Sequence, residues 1–347
     1  MDTIAQAPHP ISTAETLPQP LTFREKLAAG RFVVSVEIDP PRGLLTPARA
    51  LAGASLLKEA GVDAINIGDS PMARVRMNPV AMAILLEREV AIETIVHYTT
   101  RDRNLIAIHS DLVGAHALGV RNIVCLKGDP PSLAGYTDVV GVWDVTPTGL
   151  IRILKLLNEG IDWTGKPIGH NASFFIGGAA NPNAEPIETE LKLMRRKIEA
   201  GVNFFMTQVS YDPDSLDRFL ERAAKLEMPI VVGILPLHSS RHAEFLHGQV
   251  PGITIPEETR ERMRRAGGDA MAEGMAVARE MLAVAKARQR RLPRPLVQPL
   301  RAHSGTGGRG AGLAGRSGGG QGSVPVPLSL LAQAQWSPRD PLARVGP

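Results

Sequence analysis

Three stretches, Ala60-Gly61-Val62-Asp63, Leu118-Gly119-Val120-Arg121 and Ala200-Gly201-Val202-Asn203, share one form: an apolar residue, glycine, valine and a polar residue. Each closes an amphipathic segment, Pro47–Ala60, Asn104–Leu118 or Glu188–Ala200, and leads into an apolar run. Glycine there supplies the left-handed residue that ends a helix and turns the chain into a strand. The same joint used three times predicts repeated βα units, hence an α/β fold of the (β/α)8 TIM-barrel type in preference to a doubly wound sheet. No Gly-x-Gly-x-x-Gly turn follows the first apolar run, which also weighs against a Rossmann domain.

Outward from these joints, seven runs read as strands: Phe32–Ile38, Asp63–Ile67, Ile92–His97, Asn122–Leu126, Ile168–Ile176, Asn203–Gln208 and Ile230–Leu235. Thr148–Glu159 and Asp214–Leu226 are further amphipathic segments between them. Residues 31–286 have the length of a whole barrel, yet an eighth run is missing. After Lys286 the composition breaks. The sixty residues from Arg288 hold nine Arg, eleven Gly, eight Pro and no Lys, too little apolar surface to bury a core. Three regions are expected: a flexible arm over residues 1–22, a barrel over 23–287, and a disordered Arg/Gly/Pro-rich tail over 288–347 standing where the eighth unit belongs. Such a composition is what a shifted reading frame of a GC-rich gene produces.

The formal net charge is +4 over 347 residues. The tail, with nine arginines against Asp340, carries +8 and leaves −4 for the rest, so a polyanion-binding role would reside in the tail alone. Aromatic residues make up 4%, few for a base-stacking platform, and no nucleic-acid partner is expected. Cys125 is the single cysteine, which excludes an internal disulfide and a multi-thiolate zinc site. No run approaches the roughly 18 apolar residues of a membrane helix, and the first twenty residues, with Pro8, Pro10, Pro18 and Pro20, lack the pattern of a secretory signal. The expectation is a cytoplasmic protein without membrane association.

In a barrel, catalytic groups sit at the C-terminal ends of strands, so the polar residues that terminate apolar runs are the informative ones. Glu37 ends the first run, and alternation puts it on one face with Val33 and Ser35. Desolvation there would raise its pKa and suit it to general-acid work; the alternative is an interior glutamate tied to a basic partner. The fourth run ends Lys127-Gly128-Asp129-Pro130-Pro131, where glycine permits close approach of a ligand; an ordinary βα turn is the other reading. His97 ends the third run and Gln208 the sixth. Each of these four is weak alone, but the fold brings all four to one mouth. His238, His242 and His247 follow the seventh run without a metal-binding pattern of carboxylates, so a solvated loop and helix is favoured and no metal is expected.

Through Val34–Gly43, Ile123–Pro131, Met206-Thr207-Gln208 and Gly233-Ile234-Leu235-Pro236, the sequence resembles the methylenetetrahydrofolate reductases, most of all the reductase half of the bifunctional homocysteine S-methyltransferase/methylenetetrahydrofolate reductases. The match runs in register from about Lys26 to Lys286. The resemblance implies a barrel holding FAD noncovalently, reduced by NADH or NADPH, which passes hydride to 5,10-methylenetetrahydrofolate and gives 5-methyltetrahydrofolate by ping-pong kinetics. It implies Glu37 as general acid and Asp129 as the charge beside flavin and pterin. FAD contacts would fall on Asn66, His97, Lys127, Gly128, Asp129, Asn181, Arg196 and Lys197, and folate contacts on Gln208 and Ser240. Ser240 replaces an aromatic residue of the family pattern, and Asn66 and Asn181 replace Thr and His. Relatives form homo-oligomers, so the same is expected here. The contrasting expectation is a catalytically inactive flavin- or folate-binding remnant lacking the last barrel unit.

Overall fold

The computed structural model describes residues 21–42 and 47–291. The expected arm as far as residue 20 and the expected tail from residue 292 lie outside the described residues. Seven parallel strands form one sheet in chain order: β1 (Ser35–Ile38), β2 (Ala64–Ile67), β3 (Thr94–Thr99), β4 (Asn122–Leu126), β5 (Phe175–Ala180), β6 (Phe204–Thr207) and β7 (Ile230–Val231). The helices are α1 (Phe23–Ala28), α2 (Ala48–Glu59), α3 (Pro79–Glu89), α4 (Leu105–Ala117), α5 (Pro147–Asn158), α6 (Ile187–Ala200), α7 (Pro213–Ala223), α8 (Ser240–Gln249), α9 (Glu257–Ala266) and α10 (Ala270–Arg291). Strand order that never reverses is that of a barrel; a doubly wound sheet has a switch point.

The three glycine joints fold alike. Gly61, Gly119 and Gly201 have φ of 83°, 104° and 111°. The valine after each donates to the carbonyl five residues back: Val62 to Leu57 at 3.0 Å, Val120 to Ala115 at 3.0 Å and Val202 to Lys197 at 3.1 Å. This six-to-one bond with a left-handed residue is the Schellman ending, and it aims each chain into β2, β4 or β6.

Alternation divides the strand side chains between two cores. Val36, Ile38, Ile65, Ile67, Val96 and Ile123 pack outward against the helices, while Ala64, Ile95, Val124, Phe175 and Phe204 form a separate inner cluster. Phe23 of α1 plugs that cluster, edge-on to Phe175 and Phe204 at 6.0 and 5.4 Å. Its helix is fixed by a capping box between Thr22 and Glu25, and its Lys26 pairs with Asp63 at 2.8 Å.

β1 starts at Ser35 instead of Phe32 and β3 runs two residues later than Ile92–His97, while β5 and β7 depart most from the sequence reading. β5 lies further along than Ile168–Ile176, running through Gly177-Gly178-Ala179-Ala180. Those positions lack large side chains because neighbours fill the space: a Cβ on Gly177 would stand 2.6 Å from the Phe204 ring and 2.8 Å from Val124. Ile168 instead closes a loop, donating to Gly160 at 2.9 Å. β7 stops after two residues, since the Gly233 N–H bonds the Thr207 hydroxyl at 2.9 Å instead of continuing the ladder.

Among the described residues no eighth strand joins the sheet, so β1 and β7 are its edges. The gap between them is flanked by α10, where Lys286 lies over the Phe32 ring at 5.4 Å and Arg288 pairs with Asp217 of α7. The architecture is a (β/α)8-type barrel short of one unit.

Candidate active site

A cavity of about 3000 Å³ opens at the C-terminal ends of the strands and continues through the gap between β1 and β7. Ordinary ligand pockets occupy roughly 300–1,000 Å³, so the gap contributes much of this space. Glu37, Asn66, His97, Asn181, Lys197 and Gln208 all line it. The fold thus gathers six expected site residues from β1, β2, β3 and α6, and from the residues just beyond β5 and β6.

Glu37 pairs in register with Asn66, and the chain at Gly68 lies against it: a Cβ there would stand 3.3 Å from Glu37 Oε1 and 3.4 Å from Asp39 Oδ1. Burial pushes the Glu37 carboxyl above the usual range; His97 opposes the shift and Asp39 adds to it. Asp39 is raised by burial as well, against Arg76, whose guanidinium pairs with it at 2.9 Å. Asn66 is 5% exposed and donates to Ser35 Oγ at 2.9 Å, but its Oδ1 is buried without a partner, as is His97 Nε2. Buried polar atoms facing a cavity without partners are what a polar ligand would satisfy.

Lys197 donates to the Ala179 carbonyl at 2.5 Å, and burial lowers its pKa against the pull of Glu190. Asn181 and Gln208 are held by nearby backbone: Asn181 Oδ1 accepts from Asn183 N–H at 3.0 Å, and Gln208 accepts from Val209 at 3.0 Å and donates to Pro251 at 3.3 Å.

The remaining expected residues do not line the cavity. Lys127 is exposed, its ammonium 5.1 Å from the Trp143 ring centre. Arg196 is exposed on α6, and Ser240 begins α8, half-buried beside the helix-capping Ser239. Asp129 is half-buried and accepts from the Met72 N–H at 2.8 Å. That N–H belongs to an arch, Ser70–Ala73, in which Ser70, Met72 and Ala73 have φ of 47°, 56° and 57°. Left-handed non-glycine residues persist only where surroundings impose them. Gly128, at φ 82°, sits where a Cβ would approach Thr99 and Arg101 Cβ atoms to 3.0 Å.

A buried network behind this arch was not foreseen. Asp69 Oδ2 accepts from the Thr99 N–H at 3.0 Å, the Thr99 hydroxyl at 2.8 Å and Arg103 at 2.7 Å. Arg101, 2% exposed, binds Asp102 and donates to the Ser70 carbonyl at 3.3 Å. The signal was available: Gly68-Asp69-Ser70 and Thr99–Asn104 also terminate apolar runs. His238 and His242 stack at 4.8 Å, and the His238 N–H donates to His242 Nδ1 at 3.2 Å. Burial brings His242 down to about 4, the neutral form that such a bond requires.

Parallel strands in chain order, an outer layer of helices and polar side chains gathered at the strand ends define a protein of the (β/α)8-barrel class. The family model for methylenetetrahydrofolate reductase matches residues 22–294, and the chain belongs to that family. It is 29% identical over 208 residues to methylenetetrahydrofolate reductase 2 of Saccharomyces cerevisiae, covering 57% of this chain and 32% of the relative. It is 28% identical over 185 residues to methylenetetrahydrofolate reductase (NADH) 1 of Arabidopsis thaliana, covering 49% and 30%. With 5,10-methylenetetrahydrofolate reductase of Escherichia coli it shares 28% over 144 residues, covering 40% and 42%. The matched part thus spans about a third of the yeast and plant relatives. Among solved structures, an uncharacterized protein from Clostridium thermocellum that binds two copies of 5-methyl-5,6,7,8-tetrahydrofolic acid has the same fold, with a TM-score of 0.56 at 15% identity over 78% of this chain and 87% of that one.

Proposed function

We propose that this chain reduces 5,10-methylenetetrahydrofolate to 5-methyltetrahydrofolate, using FAD held noncovalently and NADH or NADPH as the reductant. The observation that carries the reading is Glu37, a carboxyl whose pKa burial raises, beside two buried and unpartnered polar atoms at one barrel mouth. Family membership and relatives named for methylenetetrahydrofolate reduction, one of them for NADH, support it.

The residues present fit a flavin. Asn66 Oδ1 can accept from its ring, His97 Nε2 can bond a ring heteroatom, and Lys197 lies where a phosphate would find a cation. When bound, FAD would supply hydride, taken from the nicotinamide and given to the folate. Glu37 would supply the proton that a departing folate nitrogen needs when its five-membered ring opens, and burial favours its protonated form. The resemblance assigns Asp129 to the stabilisation of a cationic iminium; its side chain accepts from the Met72 N–H at 2.8 Å, outside the cavity lining. Gln208 would orient the pterin. A single site serving two substrates in turn gives ping-pong kinetics. Homo-oligomeric assembly in the cytoplasm is part of the same proposal.

A second reading, an inactive flavin- or folate-binding remnant, is favoured by one observation: β1 and β7 have no strand between them among the described residues. Both are tested by adding FAD to the purified chain and following its visible spectrum during anaerobic addition of NADH and then methylenetetrahydrofolate. Bleaching, recovery and formation of 5-methyltetrahydrofolate support the reductase. Flavin that binds but never bleaches supports the remnant.

A further inference from the structure

Two carboxylates, not one, stand at the exit of β1. Glu37 and Asp39 are two residues apart, fall on the same side of the chain and both line the cavity. The chain leaving β2 at Gly68 lies against both. A Cβ on that glycine would meet Glu37 Oε1 at 3.3 Å and Asp39 Oδ1 at 3.4 Å. The two oxygens are therefore within about 7 Å of one another, a range over which unit charges interact strongly inside a protein.

Asp39 is held as a charge. Arg76, between β2 and α3, pairs with its carboxylate at 2.9 Å and donates to the Pro40 carbonyl at 3.0 Å. The Met77 N–H donates to the Pro41 carbonyl at 2.9 Å, so this segment is strapped to the β1 exit by backbone as well. Arg76, Arg42 and His97 favour the charged form of Asp39, and burial opposes it. Glu37 is faced by the neutral Asn66 on β2, by His97 on β3 and by Asp39 on its own strand exit; His97 favours its ionisation and Asp39 opposes it.

We propose that Asp39, clamped by Arg76, is a positioning residue for the general acid: its charge beside Glu37 holds the proton on Glu37 for the folate nitrogen. The inference rests on the functional reading above and gives that reading a second carboxylate. Arg76 fixes the charge, and Asp39 presents it to Glu37.

The test is carboxyl-carbon NMR titration of the full chain labelled at its Asp and Glu side chains, the two signals being assigned through Glu37→Gln and Asp39→Asn. In the parent each signal should move in two steps, its own titration and its neighbour's, because coupled carboxyls report one another. Asp39→Asn should lower the Glu37 titration by about one pH unit. The Asp39→Asn/Arg76→Met variant, which leaves no unpaired guanidinium, should keep the Glu37 titration below that of the parent. Single-step signals in the parent overturn the proposal without any variant having to fold. So does a Glu37 titration that stays in place in Asp39→Asn, or one that returns to the parent position in the double variant, which would assign the fall to the unmasked Arg76 charge. In the FAD-loaded chain, Asp39→Asn should bring the loss of the folate half-reaction at high pH about one pH unit lower, with the pH profile of flavin reduction by NADH unchanged. A carboxyl titration that moves while the folate profile does not overturns the positioning role alone. A parent whose carboxyls are coupled but which never reduces the folate overturns the functional reading and the positioning role with it.

Discussion

Replacing Gly128 by alanine probes the exit of β4, where the structure makes a quantitative demand. The residue has φ of 82°, and an L side chain in a left-handed conformation costs about 1–2 kcal/mol. The new Cβ would also stand 3.0 Å from the Cβ atoms of Thr99 and Arg101 and 3.2 Å from Thr99 Cγ2. These are the roots of side chains, not flexible tips, so the contact can be relieved only by moving backbone. Overpacking of that kind costs about 1–3 kcal/mol, and the two effects together come to about 2–5 kcal/mol. Thermal unfolding should fall by roughly 4–20 °C for a domain of this size. Relief would carry Asp129 away from the Met72 N–H, so hydrogen exchange at Met72 should rise as stability falls. Gly128→Ser should behave the same way. A thermal midpoint within a degree of the parent would refute both the strain and the close approach.

Glu37→Gln should abolish folate reduction while leaving flavin reduction by NADH largely intact, as measured by separate anaerobic half-reactions; equal loss of both would remove Glu37 from the role of acid. Because the Glu37 pKa is raised, its protonated form is favoured in the folded state, so the folate half-reaction should slow as pH climbs through that raised value. The small stability that this group contributes should be whole below the ordinary glutamate pKa and decline over the same climb. Asp69→Ala removes the nearer of the two carboxylates on Arg103, leaving Asp111 at 3.2 Å, and should cost about 1.5–3 kcal/mol in urea unfolding, whereas Arg103→Ala with Asp69→Ala together should recover part of that loss. Arg101→Met removes the donor to the Ser70 carbonyl and should raise hydrogen exchange in residues 70–73 and at Met72 above all, with the core strands unaffected.

Much of the barrel is visible in the residues themselves because its joints are local. The helix endings at Gly61, Gly119 and Gly201 need only a left-handed residue and a following apolar one, and both are written in consecutive positions. The reading falters at β5, where the reason is long-range. Gly177 is small because Phe204, on the next strand, fills its place, and nothing near Gly177 in sequence records that ring. The site divides along the same line. Glu37, His97 and Gln208 end apolar runs and could be picked out from that fact alone. The Asp69, Thr99 and Arg103 bonds require two strand exits to meet in space, although each exit looks polar in the chain. The arch over Asp129 was illegible, since Ser70, Met72 and Ala73 are not residues that choose positive φ.

The sheet order has a bearing on how the chain assembles. Every strand is hydrogen-bonded to its neighbours in the chain, so five of the six pairings join segments 25–29 residues apart, as Ser35 and Ala64 are, while β4 and β5 join Asn122 to Phe175, 53 apart, and each can form as the polypeptide emerges. The two edges are the exception: Ser35 and Ile230 are 195 residues apart. Bringing such distant segments together costs only about 1.7 kcal/mol more in loop entropy than one local step, because that entropy grows with the logarithm of length. The six local pairings have already met that cost by curving β1 and β7 toward a shared cavity. Synthesis order and assembly order therefore coincide, and the slowest contacts to form are expected across the gap, where Lys286 of α10 meets Phe32.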